Sequence, residues 1–321
     1  MTRRAVLPSV EGEVEAIGSV SVTHHFANAP GAVIPIRWHY VEAGVADAET
    51  IVFLHGNPES WYAWHQQLEF FAARYHLIAP DLKGYGQGDK RPGDWRWENC
   101  AEEMLAFLDT LGIERFNIVA HDRGCVLSDY LVGRHPDRVL RYVRMQQILH
   151  IWRAENSPQS VYFADPIFGP AIFGDPDFYF EYRLNAMLKN PVSAERLEKF
   201  KREMSYEGLA DAVPRYFQSS SFEKERLDRT SRLLRFMDLP VLLLQATHDT
   251  NQPRYYYADP VNPAVAQFPN ARLAWIDGAG HYTHLEKPED VTANIDAFLT
   301  STTPGTAAPR TDLAPWPLVA G

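Results

Sequence analysis

Cysteine is nearly missing from this chain: among 321 residues only Cys100 and Cys125 carry thiols. Two such residues offer no disulfide framework, and no pairing has the spacing of a metal site. No metal and no cofactor is expected, and a reducing cytoplasm is the default location. Positive charge is also short. Lys and Arg total 31 against 41 Asp and Glu, a formal net charge of −10, which argues against a nucleic-acid or anionic-membrane surface. Small neutral or weakly polar molecules suit such a chain better as partners, and a homodimer is among the assemblies open to it. Long apolar runs are absent as well. Nowhere do about 18 apolar residues stand together, and the opening MTRRAVLPSVEGEVEA has two arginines but no apolar h-region, so neither membrane insertion nor secretion is expected. DLKGYGQGDK lacks the phosphate-loop spacing, and there is no internal repeat.

What is present is a hydrophobic content of 45%, enough for one large core and a second subdomain. Residues 1–17 have no clear period and read as a flexible leader. VSVTHHF and VIPIRWHYVEAG then read as antiparallel strands. Thr50–Leu54 (TIVFL) is a short apolar run of the kind a doubly covered parallel strand needs, and it empties into His55-Gly56-Asn57-Pro58. Helical and strand signals alternate from there through residue 146, which predicts an α/β fold with a mostly parallel sheet flanked by helices. From 147 to 236 the strand signal is lost. Helical pieces rich in aromatics replace it, read as an inserted helical cap. The core resumes over 237–301, and the Pro/Ala/Gly/Thr-rich stretch 302–321 reads as a disordered or loosely docked tail.

The chain turns on RFNIVAHDRGC, residues 115–125. A β-branched run leads into Ala120-His121-Asp122-Arg123-Gly124 and then a helix-like segment. The spacing small-x-Asp-x-Gly is that of a nucleophile elbow, which lifts one side chain above a sheet on a strained turn. The alternative is an Asp that merely caps the following helix. Three other strand ends collect polar residues: the loop at Asn57, Asp249 after VLLLQATH, and His281 after WIDGAG. Ligands in open α/β sheets gather outside the carboxyl ends of strands, so these residues should converge. Asp259 and Asp277 compete with Asp249, and His284 competes with His281. Cys125 reads as a small packing residue.

HGNPESWYAW, DLKGYGQGDKRP, AHDRG and GAGHYTHLEKPEDV together resemble the α/β-hydrolase fold in its branch with an aspartate nucleophile: epoxide hydrolases, haloalkane dehalogenases and haloacetate dehalogenases. The likeness covers about 33 to 300. It implies that Asp122 attacks a saturated carbon to form an ester, that His281 oriented by Asp249 activates water, and that the N–H groups of Asn57 and Arg123 hold the oxyanion. It also implies a cap tyrosine at Tyr216 that activates the leaving group. The usual second tyrosine falls near Gln159, with Trp152, Tyr162 or Tyr179 as substitutes, and Gln146 stands where many dehalogenases have their acid. Arg123 could bind a substrate carboxylate or a core acid. Val126 and Ser160-Val161 stand where haloacetate dehalogenases have an arginine and a His-Trp pair, which argues against fluoroacetate. The resemblance points to an epoxide hydrolase first, with a dehalogenase, a lyase or ring-forming homologue, and a non-catalytic ligand-binding scaffold as the alternatives.

Overall fold

The computed structural model describes residues 6–147, 158–233, 239–258, 268 and 270–310. Its strands are β1 (Val14–Ile17), β2 (Val20–Ala29), β3 (Ile36–Gly44), β4 (Thr50–Leu54), β5 (His76–Pro80), β6 (Phe116–His121), β7 (Val139–Met145), β8 (Val241–Ala246) and β9 (Ala271–Ile276). They form one sheet in the order β1-β2-β3-β5-β4-β6-β7-β8-β9. The first three pair antiparallel and β3 joins β5 antiparallel, while every pairing from β5 to β9 is parallel. Strands β4, β6, β7 and β8 are buried at every residue, as expected of parallel strands covered on both faces. The chain leaves β4 for β5 on one side and returns to β6 on the other. The carboxyl ends of β4 and β6 therefore flank the point where strand order reverses, the usual place for a ligand.

The expectation of a flexible leader is corrected, and residues 302–310 take the docked alternative. The opening segment is tied down from Ser9, whose N–H donates to Gln87 Oε1 at 2.6 Å. Gly12 and Glu13 bond the backbone of His24, and Val14–Ile17 is the edge strand β1. Alternation there is short, and pairing with β2 supplies what local pattern does not. At the other end, residues 302–310 run along the core: Gly305 N–H donates to Leu140 O at 2.7 Å and Arg310 donates to Gly133 O at 3.0 Å. Residues 311–321 lie outside the described ones.

Helices α1 (His65–Phe71), α2 (Trp97–Thr110) and α3 (Arg123–Arg134) pack on the sheet. Glycine at 124 is what lets α3 sit against β4, because a Cβ there would stand 2.4 Å from Leu54 O. Between β7 and β8 the described residues form short helices, including Gln159–Ala164, Ala194–Glu203 and Phe222–Asp228, with a π-helical turn at Tyr179–Leu184. Their aromatics pack on one another, with Phe163 4.9 Å from Phe173 and Phe173 5.7 Å from Tyr179.

Charged bridges bind this insertion to the sheet. Buried Asp129 on α3 accepts from Arg144 of β7 at 2.8 Å and from Arg229 of the insertion at 2.7 Å. Burial would raise the Asp129 pKa, but the two guanidiniums hold it down.

Gly124→Ala should cost about 1–3 kcal/mol, the range for overpacking a filled core, because backbone on both sides of the contact must part. Urea denaturation checks this; an unchanged midpoint would mean that α3 has slack against β4.

Candidate active site

The elbow is strained in the way its sequence suggests. Asp122 has φ 45° and ψ −115°, outside the regions that L-residues favour, a cost of the kind found at functional sites. Its backbone is held in place: the Asp122 N–H donates to Met145 O at 3.0 Å, the Cys125 N–H donates to Asp122 O at 3.0 Å, and Gln147 Nε2 donates to the same carbonyl at 2.9 Å. Gly56 is needed opposite, since a Cβ there would come 2.7 Å from Asp122 Cβ.

The structure brings Asp122, His281 and Asp249 together. His281 Nδ1 lies 2.8 Å from Asp249 Oδ2 and its Nε2 lies 3.5 Å from Asp122 Oδ2. The His281 and Asp249 side chains are 1% exposed and that of Asp122 is 15% exposed, so of the three Asp122 is the one open to the pocket. Asp249 Oδ1 accepts the N–H groups of Asn251 (2.8 Å) and Gln252 (3.0 Å). One oxygen of Asp249 thus makes the Asx-turn while the other meets His281. Asp277 instead accepts from Thr247 Oγ1 at 3.0 Å, and Asp259 lies outside the described residues.

Burial alone would lower the pKa of His281, but Asp249 and Asp122 overcome it and push it up to about 10. Asp122 is likewise held below its ordinary value, burial notwithstanding, by the hydrogen bond and charge of His281. His281 is thus held as an imidazolium against an ionised Asp122.

Asn57 and Arg123 flank the carboxylate. Asn57 N–H donates to Asp122 Oδ1 at 3.3 Å. Arg123 opens α3, where a backbone N–H has no partner within the helix. The Asn57 side chain bonds locally: its Oδ1 accepts from Tyr85 at 3.0 Å, and its Nδ2 faces the Tyr179 hydroxyl at 3.5 Å. Tyr282 donates to Asn57 O at 3.1 Å.

A second layer escaped the sequence reading. Glu59 accepts from Gly56 N–H (2.7 Å) and pairs with His121 Nδ1 (2.8 Å) and His284 Nε2 (2.9 Å). His121 Nε2 in turn meets His281 O at 3.0 Å. His284 is thus a brace rather than the base, and burial lowers its pKa to about 4. Burial would raise the Glu59 pKa, yet the two histidines keep it well below the usual carboxylate range. Glu59, His121 and His284 are also the group among the described residues whose atoms lie close enough to ligate a metal ion, but both ring nitrogens of His121 already have partners. The signal for this layer was in HGNPES, three residues after Gly56.

Several expected binding residues lie elsewhere. Tyr216 is fully buried, donates to Lys83 O at 2.8 Å and stacks on Trp97 at 4.3 Å; it does not line the pocket. Core packing of an aromatic-rich segment claims it. Tyr162 is 55% exposed beside Phe168. Gln146 turns away at φ 43° to bond Gln245 and Leu244, and Gln147 lines the pocket instead. Trp152 lies outside the described residues. Tyr179 does line the pocket. Arg123 settles on a protein acid: Nη1 and Nη2 donate to Glu225 at 3.0 and 2.8 Å, and its guanidinium lies 4.6 Å over Trp97. Nothing in FEKERLD distinguished Glu225 from the charged residues of a solvated helix. Cys125 is buried with its thiol pushed up to about 12 by desolvation, which suits packing and not attack.

The family profile described as alpha/beta hydrolase fold matches residues 49–288. Epoxide hydrolase 2 of Siraitia grosvenorii is 36% identical over 141 residues, 43% of this chain and 42% of that protein. A haloalkane dehalogenase of Mesorhizobium japonicum is 42% identical over 120 residues, 37% of this chain and 38% of that protein. The chain thus spans less than half the length of these two relatives. Epoxide hydrolase 3 of Xenopus tropicalis is 26% identical over 288 residues, 82% of this chain and 75% of that protein. Among solved structures, Cfl2 of Burkholderia cenocepacia superposes with a TM-score of 0.77 at 24% identity, over 89% of this chain and 99% of that one. The sheet order, the elbow and the matched profile have one reading: the chain belongs to the α/β-hydrolase fold family.

Proposed function

We propose that the chain is a cofactor-independent epoxide hydrolase that works through a covalent aspartyl ester and releases a diol. The observation that carries the reading is a carboxylate, not a hydroxyl, on the strained elbow, facing His281 at 3.5 Å with Asp249 behind it. A carboxylate that attacks saturated carbon leaves an ester, which water can open; a serine there would leave an inert ether. The helical insertion acts as a cap over this site, the substrate is a small molecule, and the two unpaired cysteines favour the cytoplasm. Among the described residues no helix is long and apolar enough to cross a membrane.

Asp122 Oδ2 attacks an epoxide carbon and the ring C–O bond breaks. Tyr179 donates a proton to the departing oxygen; burial raises its pKa despite Arg183, so the phenol is protonated and available. Esterification cancels the Asp122 charge that helps hold His281 protonated. The imidazolium proton can then refill the tyrosine, leaving His281 neutral as the base. Water, deprotonated by His281 Nε2, adds to the ester carbon, and the N–H groups of Asn57 and Arg123 receive the oxyanion. Collapse expels the diol with the proton from His281, and the proton left on the Asp122 carboxyl passes to His281 Nε2 to restore the resting pair. Tyr179 thus takes the role that sequence likeness gave to Tyr216. Dehalogenation by the same ester is the rival reading, and Asn57 is its support; but the Asn57 amide faces Tyr179 and Arg123 is bound to Glu225, which leaves no free pair of halide donors at these two positions.

Asp122→Asn should lower kcat about 10⁴-fold or more with the fold intact by circular dichroism; retained epoxide turnover, with deamidation excluded by mass, would sink the scheme. Tyr179→Phe should cost about 10²- to 10⁴-fold in kcat, whereas Tyr216→Phe should mainly lower stability, by about 1 kcal/mol for its lost hydrogen bond. Steady-state kinetics and urea melts of the two variants separate the roles, and the reverse pattern would restore Tyr216.

The His281 pKa lies above its ordinary 6.5, at about 10. Its ion pairs therefore stabilise the fold fully below about pH 6.5, and that contribution is lost as pH rises toward 10. Wild type should lose more stability across this window than Asp122→Asn, which lacks one of the raising charges. Superimposable denaturation profiles would contradict the charged resting state.

A further inference from the structure

Pockets for small molecules are mostly apolar, with a few placed polar groups. The pocket over Asp122 departs from this pattern. Phe163, Phe217, Phe222 and Met187 supply apolar wall, and polar groups fill the rest of it: amides, guanidiniums, the Asp122 and Glu225 carboxylates, Tyr179 and His281. Among its polar atoms, Arg123 Nε, Gln252 Oε1 and Gln159 Oε1 are buried with no hydrogen-bond partner among the described residues. Arg123 and Gln252 are each only 4% exposed. The Arg123 fork is held by Glu225 and the Gln252 backbone N–H by Asp249 Oδ1, and both residues, with Gln159, line the pocket. A buried donor or acceptor left unmade is costly, and each one calls for an explanation.

We propose that these atoms receive the substrate, and that the substrate is a small neutral molecule carrying hydroxyl or N–H groups in addition to its reactive ring. The inference rests on the ester-forming hydrolase reading above and names the substrate class of the same site. Gln252 Oε1 and Gln159 Oε1 accept from donors on the substrate. Arg123 Nε donates to an oxygen of it. A carboxylate is disfavoured at Arg123 and Arg229, whose forks are already engaged by Glu225 and Asp129, and the third arginine of the wall, Arg183, meets Asn251 Oδ1 at 3.3 Å. A plain alkyl epoxide or haloalkane would leave all three atoms buried and unmatched. Sites built to hydrogen-bond a substrate group reject the analogue that lacks it. The polar wall thus sets a preference by what it leaves unsatisfied.

The test compares a four-carbon epoxyalkanol with the epoxyalkane in which a methyl group replaces its hydroxyl. It also compares binding of the corresponding triol and diol products to Asp122→Asn by calorimetry, which does not depend on turnover. The hydroxylated member should be preferred roughly 10- to 100-fold in kcat/KM and in Kd. Gln252→Met, close in size but without the acceptor, should shrink that ratio by about 10-fold, while Gln252→Glu, which keeps an acceptor, should retain most of it; thermal melts establish that both variants fold. Equal treatment of the two ligands by the wild type, or a ratio unmoved by Gln252→Met, would overturn the inference. Selective triol binding, lost in Gln252→Met, with no epoxide turned over would uphold the polar pocket and overturn the reaction assigned to it.

Discussion

His281 sits between two carboxylates, 2.8 Å from one and 3.5 Å from the other, and the candidate site depends on that charge arrangement. The imidazolium lowers the Asp122 pKa against the effect of its burial. In the proposed reaction Asp122 is thereby kept in the form that can attack, beside a base protonated at rest, and esterification removes one of the two charges that hold His281 protonated.

Geometry of this kind needs a rigid frame, and the sheet supplies it. Asp122, Asp249 and His281 come from the ends of three parallel strands far apart in sequence, and backbone groups bond each of them, with Gln147 and His121 side chains holding the carbonyls of Asp122 and His281. Gly124 and Gly56 remove the two Cβ atoms that would push the elbow out of place. Glu59, through His121, reaches the His281 carbonyl, so the HGNP loop and the histidine loop share one buried brace. Arg123–Glu225 and Asp129–Arg229 then tie the helical insertion to the elbow helix. Truncating one member of such a buried pair strands the other charge, which costs more than the pair itself is worth.

Much of this was legible in the chain. TIVFL and VLRYVRM announced buried strands, small residues at 120 and 124 announced the elbow, and strand ends announced Asp249 and His281, because covered parallel strands and tight turns are set by local composition. The misses have a different origin. Val14–Ile17 is too short to signal a strand without its partner β2. Tyr216 and Tyr179 are both tyrosines in aromatic helical segments, and only packing decides which one is stacked away on Trp97 and which reaches Asn57. Glu225 and Gln252 look like surface polar residues in sequence; tertiary structure buries them beside the elbow.

The central claim is that Asp122 becomes covalently attached to substrate and is regenerated by water. Repeated turnover of an epoxide in heavy-oxygen water, followed by mass spectrometry of the peptide that contains Asp122, tests it most directly. The account predicts that solvent oxygen accumulates in the Asp122 carboxylate and that a single turnover with excess enzyme yields diol lacking the solvent label. Diol labelled in the first turnover, with Asp122 unlabelled after many, would contradict it and leave direct attack by water in its place.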